Sequence, residues 1–308
     1  MSCKKSLMVM LALLSMSSTL FAGQNTAVIV YGDSLSDNGN LYNATGQAYP
    51  PDPPYYEGRR SNGPVAVEQL ATSLNVPLRD YAWIGATTGS GNYGDGGTVT
   101  TMGQYNWPGM ATMYDATKGA ITPYLSQGLF IVWGGPNDIL APSPLDTTPG
   151  EIIFRALADE LAIILDLKGR GARTILAPGM PDLGLTPYFQ SLGPVIAAQG
   201  TAFTDAFNAG LQAELPPGVL YYDTAGLLRS VVHNPTAYGF TNATDYYLRI
   251  PRTDDPNDYV FYDDFHPTTA VHTLLAREFQ EVTAVPEPSA IVILGSGFAL
   301  LLLRRRRL

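Results

Sequence analysis

The chain has 308 residues, 45% of them hydrophobic and 15% charged, which is enough apolar material for a sizeable core and too apolar for intrinsic disorder. Its formal charge is −9, and six of its cations (Lys4, Lys5 and the run of four arginines at 304–307) sit at the two ends, so the stretch between them is more acidic still, which argues against a nucleic-acid partner. Cys3 is the sole cysteine and His233, His266 and His272 are the three histidines, so internal disulfides and thiolate metal sites are excluded; no metal or other cofactor is expected.

In chain order, residues 1–22 read as an export signal. Lys4 and Lys5 give a positive start, 7–14 an apolar run, and 15–22 small residues before a cut after Ala22. Leu20 is bulky for its place, which leaves the bond open. The alternative is a membrane anchor, for which the apolar run is short. Residues 27–31 (AVIVY) predict a buried strand ending at Gly32. Residues 64–74 have helical spacing, with Val67, Leu70, Ala71 and Leu74 on one side. Residues 77–84 and 128–133 predict two more strands. The clearest helix is 149–168, where Ile152, Ile153, Ala156, Leu157, Leu161, Ile164, Leu165 and Leu167 make a broad apolar face and Gly169 and Gly171 supply the stop. A strand at 173–177, a helix at 195–211, a strand at 219–222 and a helix at 268–281 follow. Strands alternating with helices predict an α/β domain over residues 23–283, with a parallel sheet covered on both faces. Two long loops, 41–62 and 86–127, are left over.

The last segment, 284–308, holds Val285-Pro286-Glu287-Pro288-Ser289, an apolar stretch at 290–303, and four arginines. That stretch is about 21 Å long as a helix against a bilayer core of about 30 Å. It spans only if the arginines snorkel and the bilayer thins. The arginines should stay cytoplasmic, placing the body outside.

In an open α/β sheet, reactive groups gather beyond the carboxyl ends of the strands. The first strand is followed by Gly32-Asp33-Ser34, the second by Gly85, and the third by Gly134-Gly135-Pro136-Asn137-Asp138; Asp263-Asp264-Phe265-His266-Pro267 precedes the last helix. These are the residue types of acyl transfer. Ser34 is a weak nucleophile until a base takes its proton, and His266 is the candidate base. Asp263, three residues earlier, can hold the imidazole tautomer and stabilise the imidazolium; Asp264 is the alternative partner. The N–H groups of Ser34 and Gly85 and the amide of Asn137 are candidate donors to the oxyanion. The rate is then expected to fall on the acid side as His266 protonates.

These blocks, GDSLSDNGN at 32–40, YAWIGATTG at 81–89, GGPND at 134–138 and DDFHPT at 263–268, resemble those of the GDSL, or SGNH, hydrolase family. GRRSNGPV from Gly58, GMPDLGLTP from Gly179 and NPTAYGFTNAT from Asn234 are also similar, so the likeness covers nearly all of 26–280. It implies a three-layer, flavodoxin-like α/β/α sandwich and ester hydrolysis through an acyl-enzyme, with a catalytic triad of Ser34, Asp263 and His266 and an oxyanion hole of Ser34, Gly85 and Asn137. Two departures stand out: Ile84 where many relatives have a second glycine, and Tyr247 near a position where many carry a paired cysteine. Residues 284–308 resemble the PEP-CTERM sorting signal of Gram-negative bacteria. That implies an exosortase as partner, membrane attachment through the C-terminal helix before processing, and a place at the cell surface or outside it. Lipid esters, O-acetyl esters of polysaccharide and acyl transfer to an alcohol all stay open as chemistry. So does a silent matrix-binding protein on the same fold.

Residues 89–94 fit G-x-G-x-x-G but open no helix, so they read as a flexible loop and not as a dinucleotide site. Asp33 is expected to orient the serine turn, Asp37 to bond a helix start, and His233 and His272 to be structural. The Tyr/Pro-rich run 49–56, with Tyr93, Tyr105 and Trp107, is either a surface for a sugar or acyl chain or ordinary loop packing.

Overall fold

The run VIVYG forms strand β1, Val28–Gly32, with every residue buried. The computed structural model describes residues 25–251 and 253–284. Asn25–Gln280 form one compact unit. The expected export signal lies outside the described residues, as does the expected sorting signal apart from Ala284. Among the described residues no helix is long and apolar enough to cross a membrane.

After β1 come α1 (Asn40–Ala44), α2 (Ala66–Ser73), β2 (Leu78–Asp80), α3 (Met110–Thr117), β3 (Leu129–Trp133), α4 (Pro136–Leu140), α5 (Pro149–Gly169) and β4 (Thr174–Pro178). Then follow α6 (Pro187–Ser191), α7 (Pro194–Glu214), β5 (Leu220–Tyr222), α8 (Thr224–His233), β6 (Asn242–Tyr246), β7 (Tyr259–Phe261) and α9 (Thr269–Ala284). Five strands form one sheet in the order β2-β1-β3-β4-β5, each pair parallel. The order reverses between β1 and β3, which opens a crevice at the carboxyl ends of those two strands.

The period-two alternation of the strands separates the layers. Ile29, Phe130 and Ile175 share a register row and belong to the core that α3, α5 and α7 cover with Tyr114, Leu161, Ile164 and Phe207. Val30, Ile131 and Leu176, one residue on, face the opposite way. On that side Phe279 of α9 meets Trp133 and Tyr222 edge-on, at centroid distances of 5.4 and 5.5 Å. The fold is a three-layer α/β/α sandwich around a parallel sheet.

The helix expected at 149–168 starts at a reciprocal cap. Thr148 Oγ1 accepts the Glu151 N–H, and Glu151 Oε2 accepts the Thr148 N–H at 2.9 Å. The strand expected at 77–84 shrinks to three residues. Asp80 Oδ1 turns back onto the Ala82 N–H, and Asn40 Nδ2 takes the carbonyls of Asp80 and Ala82. Tyr81 and Trp83 still donate to Val30 O and Gly32 O. The two stretches expected as loops contain most of α1 and all of α3. Helices α6 and α8 and a small second sheet, β6 with β7, are further elements that the hydrophobic periodicity did not mark.

Candidate active site

The serine turn forms where β1 ends. A Cβ on Gly32 would lie 2.8 Å from Trp133 O, so strand and turn close up only over a glycine. Asp33 Oδ1 accepts the Leu35 N–H at 2.9 Å, and Asp33 O accepts the N–H groups of Ser36 and Asp37. This winds the backbone around Ser34. The Asp37 carboxylate accepts N–H bonds from Gly39, Asn40 and Leu41 and, across the crevice, from Ile84 at 2.8 Å. It caps α1 and ties the serine turn to the loop holding Gly85.

Gly85 has φ +80°, and a Cβ there would stand 2.4 Å from Asn92 Oδ1; a side chain is excluded twice over. Asn92 is fully buried, donates to Ile84 O at 2.9 Å and accepts the Gly94 N–H at 2.7 Å. Residues 89–94 are therefore not the flexible loop expected. Asn92 pins this stretch, and the buried Asp95 holds the next one by accepting the N–H groups of Tyr105 and Trp107. The sequence signal was available in Asn92-x-Gly94, the pattern of an Asx turn. Ile84, in place of a second glycine, is accommodated because both of its backbone groups have partners.

Asn137 sits in the first turn of α4, after Gly135 at φ +105°. Its Nδ2 donates to Ala86 O at 2.9 Å and lies 3.4 Å from Asp33 Oδ2. The next carboxylate, Asp138, accepts the hydroxyl and N–H of Thr88 at 2.7 and 3.1 Å. Burial raises Asp138 to about 7 and Asp33 to about 6 against those stabilising bonds. The N–H groups of Ser34 and Gly85 have no acceptor among the described residues, and both residues line one cavity with Asn137.

His266 arrives from the loop after β7. Its Nε2 is 2.7 Å from Ser34 Oγ, and its Nδ1 is 2.8 and 2.9 Å from the two oxygens of Asp263. Asp263 Oδ1 also accepts the N–H groups of Phe265 and His266, at 2.9 and 2.7 Å. Burial alone would raise the Asp263 carboxyl, but the adjacent His266 and the hydrogen bonds from His266 and Tyr55 hold it at about 2. Asp264, the alternative partner, makes no hydrogen bond to the imidazole among the described residues; its backbone carbonyl accepts the Tyr188 N–H. His272 is buried on α9, and its Nδ1 accepts the Ala66 N–H; burial lowers it to about 3. His233 bonds only the Arg229 carbonyl among the described residues. Tyr247 stacks on Tyr262 at 5.9 Å.

The cavity over Ser34 has a volume of about 270 Å³. Its lining includes the apolar Leu35, Leu140, Pro181, Leu183, Phe189 and Phe265 together with Tyr49, Arg60 and Asp264. Tyr55 reaches Asp263 Oδ2 with its hydroxyl at 2.7 Å, and Arg60 backs Tyr55. In the sequence Tyr55 falls in the Tyr/Pro-rich run 49–56 and Arg60 in the block from Gly58, but neither is tied to Asp263, because the spacing of residues 55 and 60 points to no partner 200 positions away. Among the described residues no group of three or more histidine, cysteine or carboxylate side chains could hold a metal ion.

The thermolabile hemolysin of Vibrio parahaemolyticus is 27% identical over 281 residues, covering 84% of this chain and 64% of that protein. The phosphatidylcholine-sterol acyltransferase of Aeromonas hydrophila is 28% identical over 226 residues, covering 70% of this chain and 63% of that protein. The chain thus spans just under two thirds of the length of these two relatives. A solved carbohydrate acetylesterase from Sinorhizobium meliloti overlays with a TM-score of 0.45 at 15% identity, over 83% of this chain and 96% of that one, too loosely to bear on substrate. The profile of the GDSL-like Lipase/Acylhydrolase family matches residues 28–279, and this chain belongs to that family of ester-bond hydrolases.

Proposed function

We propose that the protein is a serine ester hydrolase working through an acyl-enzyme on Ser34. The observation that carries this reading is the unbroken contact from Ser34 Oγ to His266 Nε2 to Asp263, with its 2.7 and 2.8 Å steps. His266 takes the serine proton as Ser34 attacks the ester carbonyl. Asp263, ionised, holds Nδ1–H and stabilises the imidazolium. The oxyanion forms against the N–H groups of Ser34 and Gly85 and the Asn137 amide. His266 then gives its proton to the leaving alcohol, and water repeats the sequence to free the acid.

The apolar wall of Leu35, Leu140, Leu183, Phe189 and Phe265 favours an ester whose acyl group is a hydrocarbon chain longer than acetyl. The name of one bacterial relative, a phosphatidylcholine-sterol acyltransferase, points the same way, toward lipid esters. The ends of the sequence support export, sorting by an exosortase and a final place at or beyond the cell surface. A silent matrix-binding protein on this fold would have no use for the open N–H groups beside Ser34.

The test is covalent labelling with a fluorophosphonate, followed by a panel of p-nitrophenyl esters from acetyl to octanoyl. Ser34 should carry the adduct, Ser34→Ala should turn over no ester while melting as the wild type does, and butyryl or longer chains should be preferred. An unlabelled Ser34 or undiminished turnover by Ser34→Ala overturns the reading; a preference for acetyl overturns the acyl assignment.

A further inference from the structure

Asp263 bonds with more than the imidazole. Its Oδ2 accepts the Tyr55 hydroxyl at 2.7 Å, and Arg60 Nη1 donates to that same hydroxyl at 2.9 Å while lying 3.9 Å from Oδ2. Hydrogen-bond chemistry fixes the direction of this chain. A guanidinium has no acceptor and a carboxylate no donor, so the Tyr55 hydrogen has to point at Asp263. Arg60 is itself locked: its guanidinium lies 4.9 Å from the ring centroids of both Tyr49 and Tyr55, and Nη2 donates to the Tyr49 hydroxyl. Its Nε is buried and has no partner among the described residues. One hydrogen on each Nη goes to a tyrosine, which fixes the guanidinium at the border of the cavity.

We propose that Tyr55 and Arg60 are positioning residues for Asp263, so that the proton-handling unit runs Arg60–Tyr55–Asp263–His266–Ser34. This rests on the triad reading given above. With Oδ1 held by the Phe265 and His266 N–H groups and Oδ2 held by Tyr55, the carboxylate cannot rotate out of line with Nδ1. The charge of Arg60 and the dipole of Tyr55 also offset part of the Asp263 charge felt by the imidazole. The groups facing Asp263 and His266 are Tyr55 and Arg60 from this loop, Asp33 from the serine turn, Tyr262 and Asp264 from the same loop as Asp263, and His272 from α9.

The test is a double-mutant cycle of Tyr55→Phe and Asp263→Asn on the full chain, with kcat and KM for p-nitrophenyl butyrate from pH 5 to 9. Tyr55→Phe should lower kcat about tenfold, the usual worth of one hydrogen bond to a charged group, with KM within about twofold. In the Asp263→Asn background the same change should cost less than about twofold, because the group it acts through is gone. An equal loss in both backgrounds, or a loss carried by KM, overturns the inference. If Tyr55→Phe fails to melt cooperatively, Arg60→Gln takes its place in the cycle with the same expectations. A wild type that neither turns over ester nor labels at Ser34 overturns the triad reading together with this one; a working wild type matched by Tyr55→Phe overturns this one alone.

Discussion

Asn137 divides its amide between two tasks. One hydrogen goes to Ala86 O at 2.9 Å; the other is only loosely held, 3.4 Å from Asp33 Oδ2, beside the open N–H groups of Ser34 and Gly85. Asn137→Ala should therefore act in two ways. The rate of ester hydrolysis should drop about 10²–10³-fold, the usual loss of one oxyanion donor, and steady-state kinetics will report it. Stability should also fall, by about 1–3 kcal/mol, because Ala86 O is left buried without its donor; urea unfolding measures that loss. A drop in stability with an unchanged rate would place Asn137 in the scaffold alone. Single residues of this kind were legible in the sequence where they follow a strand directly, as Ser34 and Asn137 do. Tyr55 was not, since it acts through a contact 208 positions away that leaves no local pattern, and Asn92 showed only its Asx turn with Gly94, not its bond to Ile84 O behind Gly85.

At the scale of elements, α8 carries a defect that can be repaired. Thr224 opens the helix after the Asp223 cap, and its hydroxyl is buried without a partner among the described residues. It faces an apolar pocket of Leu227, Leu228, Val271 and Leu275. Thr224→Val keeps the shape and removes the unsatisfied group, so it should stabilise the protein by about 1 kcal/mol. A melting temperature higher by about 2–4 °C is the expected sign, and a lower one would mean that a partner for the hydroxyl exists in solution. Long elements with a strong period, α5 and α7, were readable from sequence to within a few residues. Strand β2 and the pair β6–β7 were not. The first is cut short by the Asp80 and Asn40 side chains. The second is built from Asn242–Tyr246, whose polar residues show no buried face. Helix α8 had a readable signal, Asp223 followed by Ala225, Leu228 and Val231, and periodicity alone passed over it because the run is short.

At the scale of the whole molecule, buried ionisable groups set how stability varies with pH. Glu160 on α5 is fully buried, and neither of its oxygens has a partner of normal geometry among the described residues. Burial, then the nearby Asp138 and Asp33, raise it well above the ordinary carboxylate range, with slight relief from the Gly134 backbone. The folded protein thus keeps a proton that the unfolded chain releases, and stability falls as pH rises through that window, by up to about 1.4 kcal/mol per pH unit. His272 has the opposite sign. Lowered to about 3, it stays neutral where the unfolded chain is protonated, so it adds stability as pH rises from about 3 toward the ordinary imidazole value. Glu160→Gln isolates the first effect. Its melting temperature relative to wild type should climb between pH 5 and pH 8; a difference that stays constant would mean that Glu160 titrates normally.

The serine and the imidazole that touch at 2.7 Å are separated by 232 positions along the chain. Synthesis therefore delivers the attacking hydroxyl long before its proton acceptor. On the proposed chemistry, a growing polypeptide that ends before His266 carries an inert alcohol, because nothing is present to take its proton. The order of the parts along the chain thus withholds the proposed chemistry from any polypeptide that has not yet been extended past His266 and folded.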